Sequence, residues 1–142
     1  MFILDDQLSF NIHRVSVILR REMIRCFRGF DLNPEQWQVI VSLWEKKKLT
    51  QTEIIEITLQ DAPSVSKMLA RMEKKGWVIL RPSKKDKRIK TVSLTAKGRA
   101  NKKMLPAKLS QKMEKLIEKF PMNKRLELTF LLKELRNCLG DR

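Results

Sequence analysis

The chain has 142 residues, 42% of them apolar, and 31 Lys and Arg against 16 Asp and Glu give it a formal net charge of +15. That length and apolar share suit one folded domain with a core and exclude a disordered chain, while no apolar run approaches the roughly 18 to 20 residues of a membrane span. Cys26 and Cys138 lie far apart without CxxC spacing, and His13 is the only histidine, so neither a disulfide framework nor a metal cluster is expected. The opening MFILDDQLSF lacks the basic start and small-residue cleavage site of an export signal, which makes the cytoplasm the expected location and leaves no expected contact with a membrane.

From about Leu4 to Phe27, Leu8, Ile12, Val15, Leu19 and Met23 recur at steps of three and four, the period of an amphipathic helix, and Ile18, Ile24 and Phe27 widen the stripe. A stripe this broad predicts a partner helix from another chain, with a core helix of a monomer as the alternative. Gly29 breaks the pattern, and Asn33-Pro34-Glu35-Gln36 restarts it with an N-cap asparagine, proline at the first helical position and glutamine where a capping box needs it. Trp37, Ile40, Val41 and Trp44 are the expected buried stripe of this second helix, with Lys46 to Lys48 closing it.

Thr50 and Glu53 form a second capping-box pattern, with Leu49 and Ile54 as its hydrophobic staple. The short helix stops near Leu59-Gln60, and after a turn to Ala62 another opens with Pro63 in its first turn, so the pair predicts a helix-turn-helix. In the second of these, Val65, Met68, Leu69 and Met72 fall at inward spacing, which puts Ser64, Lys67, Arg71 and Lys74 on the outer face. Short hydroxyls followed by long cations suit a helix that enters a major groove: the first allow close approach and the second reach phosphates or guanine edges.

Gly76 is placed to end that helix. Trp77 to Arg81 then reads as a strand stopped by Pro82, and Ile89 to Leu94 as its partner in a two-stranded ribbon, with Val92 and Leu94 inward. Between them Ser83-Lys84-Lys85-Asp86-Lys87-Arg88 is an exposed cationic tip able to enter a minor groove, with Asp86 expected to pair with Arg88 or Arg81 and fix its direction. Fourteen of the chain's cations lie between Lys67 and Lys103, against only Glu73 and Asp86, so this segment presents a strong local field for a polyanion.

Thr95 can cap a helix running through Leu105, Leu109, Met113, Leu116 and Ile117 to about Phe120, with a kink or break at Pro106. Pro121 ends it, Asn123 is the expected cap of a last helix, and Leu128, Leu131, Leu132, Leu135 and Leu139 supply that helix's apolar side. Both cysteines read as small buried hydrophobes. No Ser/His/Asp set, paired acids or phosphate-cradling glycine loop appears, so an enzyme is not expected.

The stretch LTQTEIIEITLQDAPSVSKMLARMEKKGWV, from Leu49 to Val78, resembles the helix-turn-helix signature of MarR-type transcriptional regulators, and Arg81, Asp86-Lys87-Arg88 and Val92 to Gly98 resemble the family's wing pattern. The resemblance implies a mainly α fold with a small β-wing: a winged helix-turn-helix at 33–99 flanked by an N-terminal dimerisation helix at 1–32 and C-terminal dimerisation helices at 100–142, all in one compact domain. It implies a homodimer on a palindromic operator in double-stranded DNA, commonly a repressor released by a small aromatic or anionic effector. The residues it assigns to DNA are Thr50, Gln51, Pro63, Ser64, Ser66, Lys67, Arg71, Arg81, Lys85, Asp86, Lys87, Arg88 and Lys90. Ile55 replaces the family's usual alanine, and the chain has no tyrosine to partner a peroxide-sensing cysteine. An effector pocket is expected between the first helix, the Trp37 helix and the kink at Pro106. The competing reading is a winged-helix module that binds protein or structured RNA.

Overall fold

The computed structural model describes residues 1–141. A 3-10 turn at Leu4–Asp6 precedes helix α1 (Leu8–Phe27), so the first helix begins later than its apolar period suggests: Gln7 is extended and breaks the helical path. A second 3-10 turn, Arg28–Phe30, contains Gly29 and leads through left-handed Asp31 into α2 (Pro34–Glu45). The predicted capping box is present there. Asn33 Oδ1 accepts from the Gln36 backbone N–H at 2.8 Å, and Gln36 Oε1 accepts from the Asn33 N–H at 2.9 Å.

The buried stripe of α2 is Val39, Ile40 and Leu43, flanked by half-buried Trp37, Val41 and Trp44, rather than the expected Trp37, Ile40, Val41 and Trp44. The two indoles instead wall the sides, edge to face at 5.4 Å, and Phe27 packs on Trp37 at 5.8 Å. Helix α2 stops at Glu45 with Lys46 as its C-cap, whose backbone N–H donates to Ser42 O at 2.9 Å, and Lys47 and Lys48 follow beyond the helix rather than in its last turn.

Strand β1 (Leu49–Thr50) follows, then α3 (Gln51–Thr58), α4 (Ala62–Lys74), β2 (Val78–Pro82) and β3 (Lys90–Leu94). The sheet has three antiparallel strands in the order β1-β3-β2, with Leu49 opposite Val92, and Val78 opposite Leu94. This corrects the expected two-stranded ribbon: a two-residue strand has no sequence period, and β1 exists because β3 offers it a free edge. Leu49 and Ile54, the expected staple, are both buried in the common core.

Thr95 caps α5 (Ala96–Ala100), which ends at once; the turn Asn101 to Lys103 separates it from α6 (Met104–Ile117). The expected single helix to Phe120 is thus two, and the break comes before Pro106. Pro106 then falls in the first turn of α6, where a missing N–H leaves no intrahelical bond unmade. Helix α7 (Met122–Cys138) begins after Pro121 with no side-chain cap, so Asn123 lies inside the first turn rather than capping it.

One core joins α1, α2, α3, α4, the sheet and α6. Phe27 from α1, Val39 and Ile40 from α2, Ile54 from α3, Leu69 and Met72 from α4, Val92 from β3 and Leu105 and Leu109 from α6 are mutually packed and buried. Helix α7 contributes no buried residue, and Cys138 on it is exposed, against the expectation of a buried thiol; Cys26 is buried as expected. No helix among the described residues is long and apolar enough to cross a membrane.

Candidate nucleic-acid interface

Helix α4 is fixed at both ends and along one face. At its start Asp61, which looked like part of a turn, is the N-cap: its carboxylate accepts from the Ser64 N–H at 2.8 Å. That bond first, and the Ser64 hydroxyl second, hold the Asp61 carboxyl below its usual range. At its end Gly76, at φ +82°, forms the left-handed close, with the Trp77 N–H donating to Met72 O at 2.9 Å and the Gly76 N–H to Glu73 O at 3.0 Å. The Glu73 carboxylate also accepts from the Leu80 N–H at 2.8 Å, which ties α4 to β2.

Along its inner face Val65, Met68, Leu69 and Met72 are buried as the spacing predicts. Each such side chain contributes about 2 kcal/mol of apolar burial, so four of them fix the roll of the helix about its axis. The opposite face is thereby determined: Pro63, Ser66, Lys67, Arg71 and Lys74 are exposed. Ser64 is half-buried and engaged with Asp61, which makes it a cap partner as well as a surface group. Thr50 and Gln51 are half-buried at the start of α3. The Thr50 hydroxyl accepts from the Glu53 N–H at 3.1 Å, while the Glu53 carboxylate accepts from the Thr50 N–H at 3.4 Å, so Thr50 serves the capping box.

The wing tip is built from local hydrogen bonds. Ser83 N–H donates to Ile89 O at 2.7 Å, and Ile89 N–H to Asp86 O at 3.0 Å. Asp86 Oδ1 accepts from the Arg88 backbone N–H at 3.0 Å and from its Nε at 3.2 Å, and Oδ2 accepts from Nη2 at 3.3 Å. The partner of Asp86 is therefore Arg88 and not Arg81. The backbone donor first and the guanidinium second hold the Asp86 carboxyl below its ordinary value. Arg88's side chain is nevertheless 91% exposed, an oriented cation facing solvent. Arg81, Lys85, Lys87 and Lys90 are also exposed around it.

Farther from this surface, a cavity of about 260 Å3 lies where the pocket was expected, lined by Met23, Phe27, Trp37, Pro106, Leu109 and Met113, with Cys26 and Ser110 completing the wall. Its lining is almost wholly apolar. Among the described residues, no group of three or more His, Cys, Asp or Glu could hold a metal ion.

Comparison with known proteins is consistent with this geometry. The profile of the MarR family matches residues 30–89. An uncharacterized HTH-type transcriptional regulator of Bacillus cereus is 35% identical over 84 residues, which are 58% of this chain and 55% of that protein. The match thus spans about half the length of that curated relative. Among solved structures, a cysteine-to-serine mutant of MarR from E. coli complexed with operator DNA superposes with a TM-score of 0.79 at 26% identity, covering 90% of this chain and 92% of that one. A probable transcriptional regulator from Pseudomonas aeruginosa superposes with a TM-score of 0.82 at 25% identity, covering 94% and 99%.

Proposed function

We infer that the chain is a transcriptional regulator of the MarR family that binds double-stranded DNA sequence-specifically, as a homodimer on a palindromic operator, and acts as a repressor. The observation that carries this reading is Arg88: a guanidinium whose side chain is 91% exposed is held in one direction by two hydrogen bonds to Asp86, which also accepts from the Arg88 backbone N–H. An unpaired lysine tip would serve general attraction equally well, whereas an oriented planar fork suits insertion into a narrow groove. Helix α4 then supplies the major-groove reader, with Ser66 and Ser64 at its start and Lys67 and Arg71 reaching phosphates or base edges.

The terminal helices support the reading of a second copy. Helix α7 buries nothing, and α1 leaves Leu8, Val15, Ile18 and Ile24 exposed, more apolar surface than a monomer of this size ordinarily leaves in water. Two such faces packed together place two α4 helices on one duplex, and a two-fold protein reads an inverted repeat. The cavity beside Pro106 suits a small aromatic effector, since it joins α1, α2 and α6 and its occupation would bear on how the reading region sits against the terminal helices.

Titration with duplex DNA carrying candidate inverted repeats tests this. The expected result is an affinity that falls steeply with salt, with a slope equivalent to several neutralised phosphates, and that prefers an inverted repeat over a scrambled duplex. Binding confined to RNA or to protein would replace the regulator reading with that of an interaction module.

A further inference from the structure

The elbow between α6 and α7 is gripped by one side chain. Helix α6 ends at Ile117, and Pro121 leads into α7 in extended conformation without a side-chain cap. A chain that turns away there leaves the last carbonyls of α6 without intrahelical donors. Arg125, in the first turn of α7, reaches back to supply them: Nη2 donates to Ile117 O at 2.7 Å and Nε to Phe120 O at 2.5 Å. The rest of the fork takes the Glu114 carboxylate on α6, with Nη1 donating to Oε2 at 2.8 Å and Nη2 to Oε1 at 3.1 Å. The Arg125 side chain is only 14% exposed, and its hydrogen bonds to Glu114 hold that carboxyl below its ordinary value.

This arginine does not serve α7 itself. A cation in the first turn opposes the dipole of its own helix, whereas the same charge complements the carbonyl end of α6, so its placement answers the elbow. The two helices are anchored differently. Helix α6 is set by Leu105 and Leu109 in the common core, while within α7 Arg125 and Leu135 alone are half-buried and every other residue is exposed. The direction of α7 therefore rests mainly on the Arg125 clamp. Its 17 residues make a lever of about 25 Å. Turning such a lever by about 10° moves its far end by about 4 Å, more than the roughly 3.4 Å between successive base pairs.

We propose that Arg125 is a positioning residue for operator recognition: by clamping the α6–α7 elbow it sets the separation of the two reading helices in the dimer, and so the half-site spacing the protein selects. This rests on the reading of a homodimer on an inverted repeat, with α7 in the shared face. Arg125 touches no DNA and acts through the angle at which the winged core hangs from that face. Lysine is not an equivalent here, because a single ammonium cannot hold a carboxylate and two carbonyls in one plane as a guanidinium fork does. Glu114 completes the clamp from the α6 side.

The test uses the full chain and an inverted repeat that it selects from a random-sequence duplex pool, with the centre of that repeat then shortened or lengthened by single base pairs. Wild-type affinity should fall about tenfold or more for each such change. Arg125→Lys should remain a dimer by light scattering and bind an isolated half-site as well as wild type. On the spacing series it should bind the selected repeat about tenfold more weakly and the neighbouring spacings within about threefold of it, a flattened profile. Glu114→Gln, which keeps both carbonyl bonds and guards against misfolding of the arginine variant, should flatten the profile in the same direction but less. Arg136→Gln, which removes the ion pair to Asp141 at the far end of α7, should leave the profile unchanged. An unaltered profile in both elbow variants, an equal loss at every spacing and on the half-site, or conversion of either variant to monomer overturns the positioning role and leaves the regulator reading standing. A wild-type chain with no spacing preference removes that reading, and the proposal with it.

Discussion

At the scale of single residues, the wing separates two ways a cation can serve. Arg88→Ala removes an oriented guanidinium and should weaken operator binding by about 10- to 100-fold and lower the salt slope by about one, with folding unchanged; binding titrations at several salt concentrations measure both. Asp86→Ala removes a negative charge from a cationic surface, so electrostatics alone predicts tighter binding. If Asp86 works by holding Arg88, affinity instead falls several-fold, and a rise in affinity would dismiss the orienting role. The carboxyls of Asp86 and Asp61 both titrate below their ordinary value of 3.8. A depressed folded value means each contribution is full above the unfolded value and disappears only as pH falls through the folded one. DNA affinity should therefore carry no titration step from either between about pH 6 and 8, checked at constant ionic strength. The Asp86–Arg88 pair was legible in the sequence because its partners are two residues apart. The half-burial of Ser64 was less so: it follows from an N-cap at Asp61, whose spacing to Ser64 was present but read as a turn.

At the scale of elements, the close approach of α5 to the sheet is the most constrained junction. A methyl at Gly98 would lie 2.8 Å from both Leu94 Cδ2 and the Trp77 carbonyl oxygen. That carbonyl cannot yield easily, because it accepts from the Thr95 backbone N–H at 3.0 Å and from its hydroxyl at 3.2 Å. Gly98→Ala should cost about 1 to 3 kcal/mol in denaturant unfolding. Gly29→Ala, where the added methyl meets nothing within 4 Å, should leave the transition nearly in place. Helices whose signals are local were legible: the capping boxes at Asn33 and Thr50 and the inward spacing of α4 all appear in the structure. Elements that depend on distant partners were not. Strand β1 has two residues and forms only against β3. The break between α5 and α6 falls at Asn101 to Lys103, where no proline marks it, and the stripe of α2 is displaced because two large indoles reach the core from its flanks.

At the scale of the molecule, the terminal helices carry an apolar pattern without a cover in one chain. Phe130 is 61% exposed and Leu126 64% exposed on a helix that buries no residue of its own. Propensity alone sustains 17 isolated residues poorly in water, because helical stability in proteins comes mainly from packing an apolar face. The sequence could show that face but not what fills it, since nothing among the chain's described residues covers it. If a second copy supplies it, light scattering should give twice the chain mass at micromolar concentration, and the melting temperature should rise with protein concentration. Phe130→Glu together with Leu131→Glu should then shift the chain toward monomer while leaving the winged core folded, because neither side chain enters that core. The monomer keeps every proposed contact to one half-site, from Lys67 to Arg88, yet its affinity for an inverted repeat should fall by orders of magnitude, since the second half-site no longer arrives tethered. A variant that is monomeric but binds the repeat undiminished would show that one reading head suffices, and a wild-type chain that is already monomeric would remove the role assigned here to α1 and α7.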